Sequence, residues 1–293
     1  MFVYMLSYRY MEILLYIFAS IAGIALVGFL YTQNKDLVVS RHRLSFEYLP
    51  KEFDEFKIVH LSDLHNKRFG ARQARLIEAV RKVKPDIIVI TGDIVDYLLY
   101  RPEPTLKLVR GLRDVAPIYY VSGNHEWARP EYPAFKEQLI ELGVHVLDNR
   151  VAVIDRGGKM LAIAGIDDYA RYGNQPDIKK ILHRTLTEVR DQVDERAFKI
   201  LLVHRPELLR EYVEHHFNLI FAGHAHGGQW NLPGLGPIYA PGQGLFPRLV
   251  SGIHRRHNVR IVISRGIGNS GILAFQRLFN KPEVIVVILN KPL

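Results

Sequence analysis

Cysteine is absent from the 293 residues of this chain. The absence excludes disulfide bonds, thiolate nucleophiles and cysteine-ligated zinc, so any bound metal must be held by imidazole, carboxylate or amide groups. The sequence also lacks low-complexity tracts and internal repeats, which favours one large domain. No block of lysine and arginine is long enough for a nucleic-acid arm, and the densest basic cluster is His254–His257. We therefore expect no nucleic-acid partner.

Basic residues outnumber acidic ones, and the net charge is +9. This charge is consistent with attraction to anionic partners such as phosphates or phospholipid headgroups, or with a generic basic surface. The chain can bury a full core, since 48% of its residues are hydrophobic and 24% are charged. The composition predicts a globular protein and leaves the partner open.

The longest uncharged apolar run lies near the N-terminus, from Ile13 to Tyr31. At ~1.5 Å per residue, a helix of this length comes close to spanning a ~30 Å hydrocarbon core. Tyr16 and Tyr31 lie where aromatic rings prefer the membrane interface. A cleaved signal peptide would have a shorter apolar core and a small-residue cleavage site, and a buried core helix is seldom so uniformly apolar. We expect an uncleaved single-pass membrane anchor over residues 1–34.

The orientation of this anchor follows from the basic residues at its two ends. Arg9 precedes the apolar run, and three basic residues follow it. The positive-inside rule then favours a cytoplasmic location for the rest of the chain, by a small margin that leaves the side open. Residues 35–55 are polar and mixed, and they are predicted to be a connector to the domain that follows.

The first part of that domain alternates between strand-like and helix-like patterns. Short β-branched runs at Lys57–Leu61, Asp86–Thr91 and Pro117–Val121 are each about one strand long. Between them, apolar residues recur at helical spacing in Ala71–Val83 and Pro104–Leu112. A strand–helix–strand–helix–strand series is typical of a parallel sheet covered by helices.

The second part contains close-set short strands and one helical stretch, Gln175–Val193. A hairpin turn is predicted at Asp155–Gly158. The predicted strands are Val144–Leu147, Val151–Ile154, Met160–Ala164, Lys199–Val203, Leu219–Ala222, Arg260–Ser264 and Val284–Leu289. They imply a second sheet packed on the first. The expected fold class is therefore α/β, with two packed mixed β-sheets flanked by helices.

Polar residues follow five of these strands at the point where each strand ends. They are Asp63 and His65, Asp93, Asn124 and His125, His204, and His224 and His226. In open α/β sheets, ligands bind beyond the carboxyl ends of the strands, where the loops converge. Imidazole, carboxylate and amide groups bind Mn, Fe and Zn, so a shared metal site is predicted at this edge.

Each of these loops also has a purely structural interpretation. Asp63, Asp93 and Asn124 are residue types that cap helices or form turns, and His204 could lie at a helix start. The segment Gly223–Gly228 is harder to explain in this way, because it holds two imidazoles between glycines. If every loop were purely structural, five independent sets of polar residues would lie at one edge of the fold by coincidence. A shared metal site is therefore the more economical interpretation.

Five blocks of this sequence resemble the calcineurin-like metallophosphoesterases. They are HLSDLH at residues 60–65, GDIVD at 92–96, GNHE at 123–126, LLVHRPE around His204, and GHAHGGQ at 223–229. The blocks occur in the family's order. The last block and the apolar N-terminus are most similar to the bacterial membrane-associated branch of YkuE-like and YaeI-like proteins. The twin-arginine pair of exported members is missing here, which weakens an external location. The resemblance implies a four-layer sandwich, with residues 56–293 as the metallophosphoesterase catalytic domain and the membrane anchor before it.

The resemblance also implies a centre for two divalent metal ions, which could be Mn, Fe or Zn. The implied ligands form two sets of three around one shared carboxylate. The first set is Asp63, His65 and His226. The second set is Asn124, His204 and His224, and Asp93 would bridge the two ions. Two such ions neutralise phosphoryl oxygens and acidify a bridging water, and the resulting hydroxide would attack phosphorus in line.

His125 stands next to a ligand and has a different implied role. In the family's pattern it lies on the leaving-group side, where an imidazolium could stabilise or protonate the departing oxygen. Alternatively, it hydrogen-bonds a carboxylate as a supporting residue. His125 and Asp93 are thus the expected catalytic residues, and Asn124 and His125 are the expected substrate contacts. Asp96 and Glu126 are expected to support or cap the loops and not to bind metal.

The predicted function is metal-dependent hydrolysis of a phosphate ester, diester or pyrophosphate. The expected substrate is phosphorylated and lipid-linked or envelope-related, and the membrane is a partner through the N-terminal helix. Asp167 and Asp168 could reach the rim of the site. Arg205 could contact a phosphate, but the preferred prediction is an exposed position at a helix start. A non-catalytic metal-binding scaffold and a metal-dependent nuclease are the alternatives. A scaffold would usually have lost ligands, and the anchor argues against a nuclease. The sequence does not specify the oligomeric state.

Overall fold

The computed structural model describes residues 2–173, 175–269 and 277–292. Two six-stranded mixed sheets pack face to face, and helices cover the outer face of each. The predicted fold class, a sandwich of two packed mixed sheets flanked by helices, is confirmed. One long apolar helix precedes it.

The first sheet combines four parallel strands with two strands from the ends of the domain. Numbered along the chain, its strands are β1 (Val38–Ser45), β2 (Lys57–Leu61), β3 (Ile87–Thr91), β4 (Ile118–Val121), β5 (His145–Val146) and β16 (Glu283–Asn290). Their order in the sheet is β1-β16-β2-β3-β4-β5. Strands β2 to β5 are parallel, whereas β16 is antiparallel to β2 and parallel to β1.

The second sheet has a parallel centre and antiparallel edges. Its strands are β6 (Arg150–Arg156), β7 (Lys159–Gly165), β8 (Phe198–Leu202), β9 (Leu219–Ala222), β14 (Gly252–Arg256) and β15 (Val259–Ile263). The order is β14-β15-β9-β8-β7-β6. Two small hairpins lie between β9 and β14 in the chain, with strands β10 (Asn231–Leu232), β11 (Gly236–Pro237), β12 (Tyr239–Ala240) and β13 (Gly244–Leu245).

Seven α-helices and five short 3-10 segments connect the strands in the part of the chain that is described. The α-helices are α1 (Phe2–Lys35), α2 (Ala74–Val83), α3 (Glu103–Leu112), α4 (Asn124–Trp127), α5 (Tyr132–Glu141), α6 (Ile178–Arg190) and α7 (Leu209–Val213). The 3-10 segments are Lys51–Phe53, Ala71–Gln73, Tyr169–Tyr172, Pro206–Leu208 and His226–Gly228. Helices α2, α3 and α5 cover the first sheet, and α6 and α7 cover the second.

Alternate residues of the central strands point to opposite faces of each sheet, which builds the layers. In β2, Val59 and Leu61 pack against the helices of the first sheet, and Ile58 packs toward the second sheet. His60 also points between the sheets, where its ring lies against Phe221 at 5.0 Å and its Nε2 lies 2.8 Å from the Thr91 hydroxyl. Because both faces are covered, these strands are uniformly apolar.

The connector predicted over residues 35–55 contains a strand of the first sheet. Strand β1 pairs with β16 over eight residue pairs, from Val38 with Glu283 to Ser45 with Asn290. It lies at the edge of the sheet, and exposure alternates along its second half, with Arg41 and Arg43 exposed and Leu44 buried. An edge strand needs only a few apolar residues, so its sequence differs little from a polar linker.

Among the residues of helix α1 whose side chains are described, from Arg9 onward, contacts with the domain lie at the C-terminal end. Residues 9–28 are all exposed, and the segment Arg9–Lys35 is long and apolar enough to cross a membrane by length and composition. Near the domain, the Phe29 ring packs on Phe279 with centroids 5.2 Å apart. The buried Asn34 side chain donates to the backbone oxygen of Arg277 and accepts from its backbone nitrogen, both at 3.1 Å. The foot of α1 is therefore fixed to the domain.

Candidate metal centre

The candidate ligands all lie shortly after strands, in loops or in the short helical turns that begin at Asn124 and His226, at one edge of the two-sheet sandwich. Strands β2, β3 and β4 of the first sheet lead to Asp63 and His65, to Asp93, and to Asn124 and His125. Strands β8 and β9 of the second sheet lead to His204 and to His224 and His226. The two sheets contribute to the same site because the carboxyl ends of their parallel strands meet at this edge.

The backbone of these loops is held in an uncommon conformation. Five candidate ligands have left-handed φ angles: Asp63 (54°), His65 (45°), Asp93 (51°), His224 (65°) and His226 (49°). Such angles cost about 1 kcal/mol or more each and persist only where the surrounding structure fixes them. Gly123 and Gly223 allow the close approach, since a Cβ atom at Gly123 would collide with Asp93 and one at Gly223 with Ser62 and Asp63.

One group of donor atoms consists of Asp63, His65, Asp93 and His226. Their donor atoms all lie within 4.8 Å of one another, and all four residues are buried. The Nε2 atoms of His65 and His226 are 3.2 Å apart, and His226 Nε2 lies 3.6 Å from Asp63 Oδ1. Buried imidazole nitrogens and carboxylate oxygens that converge in this way are suited to one cation.

A second group consists of Asp93, His204 and His224, and it shares Asp93 with the first. His204 Nε2 lies 3.2 Å from Asp93 Oδ2 and 3.1 Å from His224 Nδ1. The Oδ1 atom of Asn124 is buried and has no hydrogen-bond partner among the described residues. A buried amide oxygen without a partner is costly unless something binds it, so Asn124 fits the role of a further ligand.

Neighbouring groups orient the imidazoles. His204 Nδ1 donates a hydrogen bond to the backbone oxygen of Thr91 at 2.7 Å, which leaves the lone pair of Nε2 free. His65 Nδ1 lies 3.4 Å from Asp96 Oδ2, a contact that lacks the geometry of a hydrogen bond, and its Nε2 lies 3.2 Å from His226 Nε2. The other carboxylate oxygen of Asp96 accepts from the backbone nitrogens of Leu98 and Leu99 at 2.9 and 3.2 Å. Asp96 therefore supports its own loop and lies beside the His65 ring, whereas the Thr91 backbone oxygen accepts the hydrogen bond that orients His204.

Glu126 joins two of the ligand loops. Its fully buried carboxylate accepts hydrogen bonds from the backbone nitrogens of Asp93, Ile94, Val95 and Gly123, at 2.6 to 3.1 Å. Burial and the charge of Asp93 raise the pKa of Glu126 to about 7. The side chain is turned toward the backbone and supports the loops, as expected from the sequence.

The electrostatics of the cluster favour a positive charge at its centre. Burial raises the pKa of Asp63. Burial would lower the pKa of His204, but the carboxylates of Asp93 and Asp63 outweigh it and raise that pKa to about 10. Burial holds the pKa values of His224 and His226 well below the usual range, so these rings are neutral ligands. Buried anions that favour a proton on His204 would equally favour a divalent metal ion, which would take the place of that proton at Nε2.

His125 lies beside both groups, with its Nε2 atom 3.8 Å from Asp93 Oδ2. Its Nδ1 accepts a hydrogen bond from the backbone nitrogen of Tyr97 at 3.2 Å, so in the neutral ring the proton is on Nε2. Burial lowers the pKa of His125 to about 4, which favours a neutral N–H donor over an imidazolium. The backbone nitrogen of His125 also donates to Asp93 Oδ1 at 2.9 Å.

Arg205 is largely buried, and the exposed position predicted for it is wrong. Its guanidinium makes two contacts with the buried Asp168, Nε to Oδ2 at 2.6 Å and Nη2 to Oδ1 at 3.1 Å, and it lies 4.0 Å above the Tyr169 ring. Its Nη1 lies 3.4 Å from His224 Nε2. Asp167 instead pairs with Arg171 and accepts from Ser122. The sequence gives no local sign of the Arg205–Asp168 pair, because 37 residues separate its members.

We expect Asp168→Asn to lower the free energy of unfolding by about 3 kcal/mol, since removing one partner leaves the Arg205 charge buried and uncompensated. Chemical denaturation of the full chain in detergent would measure the change. Asp194→Asn is the matched control, because Asp194 pairs with Arg196 in solvent and such pairs contribute little. Equal midpoints for the two variants would contradict a structural role for the buried pair.

Known proteins similar to this chain are metallophosphoesterases. A family model described as calcineurin-like phosphoesterase matches residues 56–228. The metallophosphoesterase YkuE of Bacillus subtilis (strain 168) is 29% identical over 265 residues, which cover 89% of this chain and 88% of that protein. Phosphodiesterase YaeI of Escherichia coli (strain K12) is 27% identical over 261 residues, 85% of this chain and 87% of that protein.

A membrane protein is among the similar sequences. A Danio rerio protein described as a transmembrane protein with metallophosphoesterase domain is 26% identical over 258 residues. The matched region covers 84% of this chain and 55% of that protein.

Proposed function

Because the chain belongs to the calcineurin-like phosphoesterase family, we propose that this metal-dependent phosphoesterase uses two divalent ions to hydrolyse a phosphate ester, diester or pyrophosphate of a membrane- or envelope-related substrate. The observation that carries the proposal is the position of Asp93, which belongs to two of the three groups of buried donor atoms, the third being His65, Asp96 and His125. One carboxylate between two ligand sets is what a pair of cations requires, since each set alone would hold one ion.

The residues assigned to each ion follow from the two groups. Asp63, His65 and His226 would hold one ion with Asp93, and this set is buried and converges on the Nε2 atoms of the two histidines. The other ion would be held by Asp93 with Asn124, His204 and His224. When bound, the ions supply Lewis-acid stabilisation of the phosphoryl oxygens and a water acidic enough to attack phosphorus at neutral pH.

The protein side chains provide the remaining chemistry. Imidazoles complete both ligand sets and the Asn124 amide completes the second, so Asp63 and Asp93 are the two carboxylates of the sets and little negative charge is left to repel an anionic substrate. His125 presents an N–H at Nε2 beside Asp93, where it would hold a hydrogen bond to a phosphoryl or departing oxygen. We assign His125 and Asn124 to substrate contact on this basis.

The relation to the membrane rests on α1. Residues 9–28 expose an apolar surface that water solvates poorly, and the foot of the helix is fixed to the domain through Asn34. A single-pass anchor would account for both features. With the domain held at a bilayer, a substrate within or at the membrane surface is the class that the site would meet most often.

Purified full-length protein in detergent should hydrolyse bis-p-nitrophenyl phosphate or p-nitrophenyl phosphate when Mn²⁺ is added, and chelation should abolish turnover. Metal at about 100 times Kd should also stabilise the fold by about 2.7 kcal/mol, because it binds the folded state only. Turnover, thermal unfolding and metal content by mass spectrometry are the three measurements. No turnover with Mn²⁺, Fe²⁺ or Zn²⁺, together with no bound metal, would overturn the proposal.

A further inference from the structure

A cleft of 370 Å³ adjoins the metal centre at the foot of α1. Two residues of the metal centre, His65 and Asp96, form part of its wall, so the cleft and the centre are continuous. Lys35, the last residue of α1, lines the opposite part. The cleft therefore connects the foot of the apolar helix with the predicted reaction site.

The cleft is strongly cationic. Four basic side chains line it, namely Lys35, Lys67, Arg68 and Arg101. Within the described ranges, none of these four lies within 4.0 Å of a carboxylate, whereas many other basic residues of the domain are paired. The half-buried Lys67 donates a hydrogen bond to Asn269 Oδ1 at 2.7 Å. Burial and the charges of Arg277 and Lys35 lower the pKa of Lys67 to about 6, so the positive charge of the cleft at neutral pH comes mainly from Lys35, Arg68 and Arg101. A concave surface lined by charges of one sign concentrates ligands of the opposite sign.

The one carboxylate in the wall is already engaged. Asp96 accepts from the backbone nitrogens of Leu98 and Leu99 and lies 3.4 Å from His65 and 3.7 Å from His125. Its charge is directed toward the loop and the imidazoles, so it does not neutralise Lys35, Arg68 and Arg101. An anionic ligand group would do so.

The cleft is also tied to the foot of the predicted anchor. Asn269 accepts from Lys67, and its own amide donates to Asn34 of α1 at 3.0 Å. Leu98 and Leu99 line the same cleft and are 46% and 55% exposed. A ligand that combines an anionic headgroup with apolar chains would match cations and exposed leucines at the membrane end of the protein.

We propose that this cleft binds a second phosphate of a membrane lipid whose first phosphate lies at the metal centre, so that the substrate is a lipid bearing two phosphate groups. The proposal rests on the proposed function, since it assumes that the metal centre receives a phosphate. It adds the residues that select the substrate, Arg68 and Arg101 with Lys35 and Lys67.

The test compares two lipids as competitors of bis-p-nitrophenyl phosphate hydrolysis by the full chain in mixed micelles. Cardiolipin carries two phosphates and phosphatidylglycerol carries one. Cardiolipin should inhibit about tenfold more tightly at equal lipid phosphate, and the double variant Arg68→Gln/Arg101→Gln should lose about that factor. KM and kcat for bis-p-nitrophenyl phosphate itself should stay near the wild-type values, because this small diester does not reach the cleft.

The matched control is Arg75→Gln/Arg110→Gln, which removes two exposed arginines that do not line the cleft. It should keep the wild-type preference for cardiolipin. Deacylated cardiolipin tests the lipid requirement, and inhibition as strong as by the intact lipid would overturn the membrane part of the proposal. Equal inhibition by cardiolipin and phosphatidylglycerol, or an unchanged preference in the Arg68→Gln/Arg101→Gln variant, would overturn the cleft assignment.

A readout without turnover separates this proposal from the proposed function. Metal-free protein in phosphatidylcholine nanodiscs should show a higher Tm when cardiolipin is present, and the Arg68→Gln/Arg101→Gln variant should not. A cardiolipin-dependent shift without hydrolysis would leave the anion site standing and overturn the enzymatic proposal. Hydrolysis without a cardiolipin-dependent shift of Tm would overturn the anion site and leave the enzymatic proposal standing.

Discussion

Replacing Asp93 by asparagine is expected to lower kcat/KM by about a thousandfold or more, equivalent to about 4 kcal/mol of transition-state stabilisation. Asparagine keeps the shape of the side chain but lacks the negative charge that two cations would share. Asp93 Oδ2 lies 3.2 Å from His204 Nε2 and 3.8 Å from His65 Nε2, one residue from each ligand group. Steady-state hydrolysis of bis-p-nitrophenyl phosphate at saturating Mn²⁺ measures the loss, and mass spectrometry measures the bound metal.

Asp86→Asn is the control for this substitution. Asp86 precedes β3 and Asp93 follows it, so the two carboxylates lie near opposite ends of the same strand. Asp86 accepts from the Lys57 backbone at 2.7 Å and from Arg156 at 2.6 Å, at the amino ends of β2 and β3, whereas the ligands follow the carboxyl ends. The control should keep wild-type activity. Full activity of Asp93→Asn would refute the bridging role, and an equal loss in both variants would indicate a general effect on folding.

The convergence of the ligand loops could be anticipated because it follows from topology. Asp63, Asp93 and His204 each come directly after an apolar run, and parallel strands bring such positions to one edge. The predicted strand at Lys57–Leu61 has the same bounds as β2, since a run buried on both faces leaves no ambiguity about where it ends. The sequence shows glycines beside several ligands. The structure explains why glycine is needed at residue 123, because a Cβ atom there would collide with Asp93.

Features that depend on long-range pairing or on one exposed face could not be anticipated. Strand β1 has the polar composition of a linker, and it is a strand because β16 provides its hydrogen-bond partners. The burial of Arg205 depends on Asp168, which comes from a different loop. The cationic cleft combines residues from the foot of α1 with residues such as Lys67 and Arg101, and no sequence pattern links them.

The position of His125 determines which of its ring nitrogens could meet a bound ligand. Its Nδ1 is occupied by the backbone nitrogen of Tyr97, so the ring cannot offer that atom to a metal ion. Its Nε2 lies 3.8 Å from the shared Asp93, at the boundary of the two ligand groups. The ring is 4.4 Å from the ring of His65, so it lies beside the metal centre, where an N–H donor could reach a bound phosphate.

Substituting His125 by alanine is expected to lower kcat by about 10²–10³-fold, the usual effect of removing one preorganised donor to a developing negative charge. Metal content should stay at the wild-type value, because the backbone nitrogen of residue 125 still donates to Asp93 Oδ1. The loss should be larger for an alkyl phosphodiester than for a p-nitrophenyl ester, since the aryl leaving group carries its negative charge without help from a donor. Rates on both substrates, with metal analysis, give the comparison.

His145→Ala is the control, because His145 is an exposed histidine that stacks on Tyr119 outside the metal centre. It should change neither rate nor metal content. A loss of metal in His125→Ala that parallels the loss of rate would make His125 a residue that holds the ligands in place. An equal loss of rate on the alkyl and the p-nitrophenyl substrates would show that His125 does not donate to the leaving group. A large loss confined to the poorer leaving group, with metal retained, is what a donor at Nε2 requires.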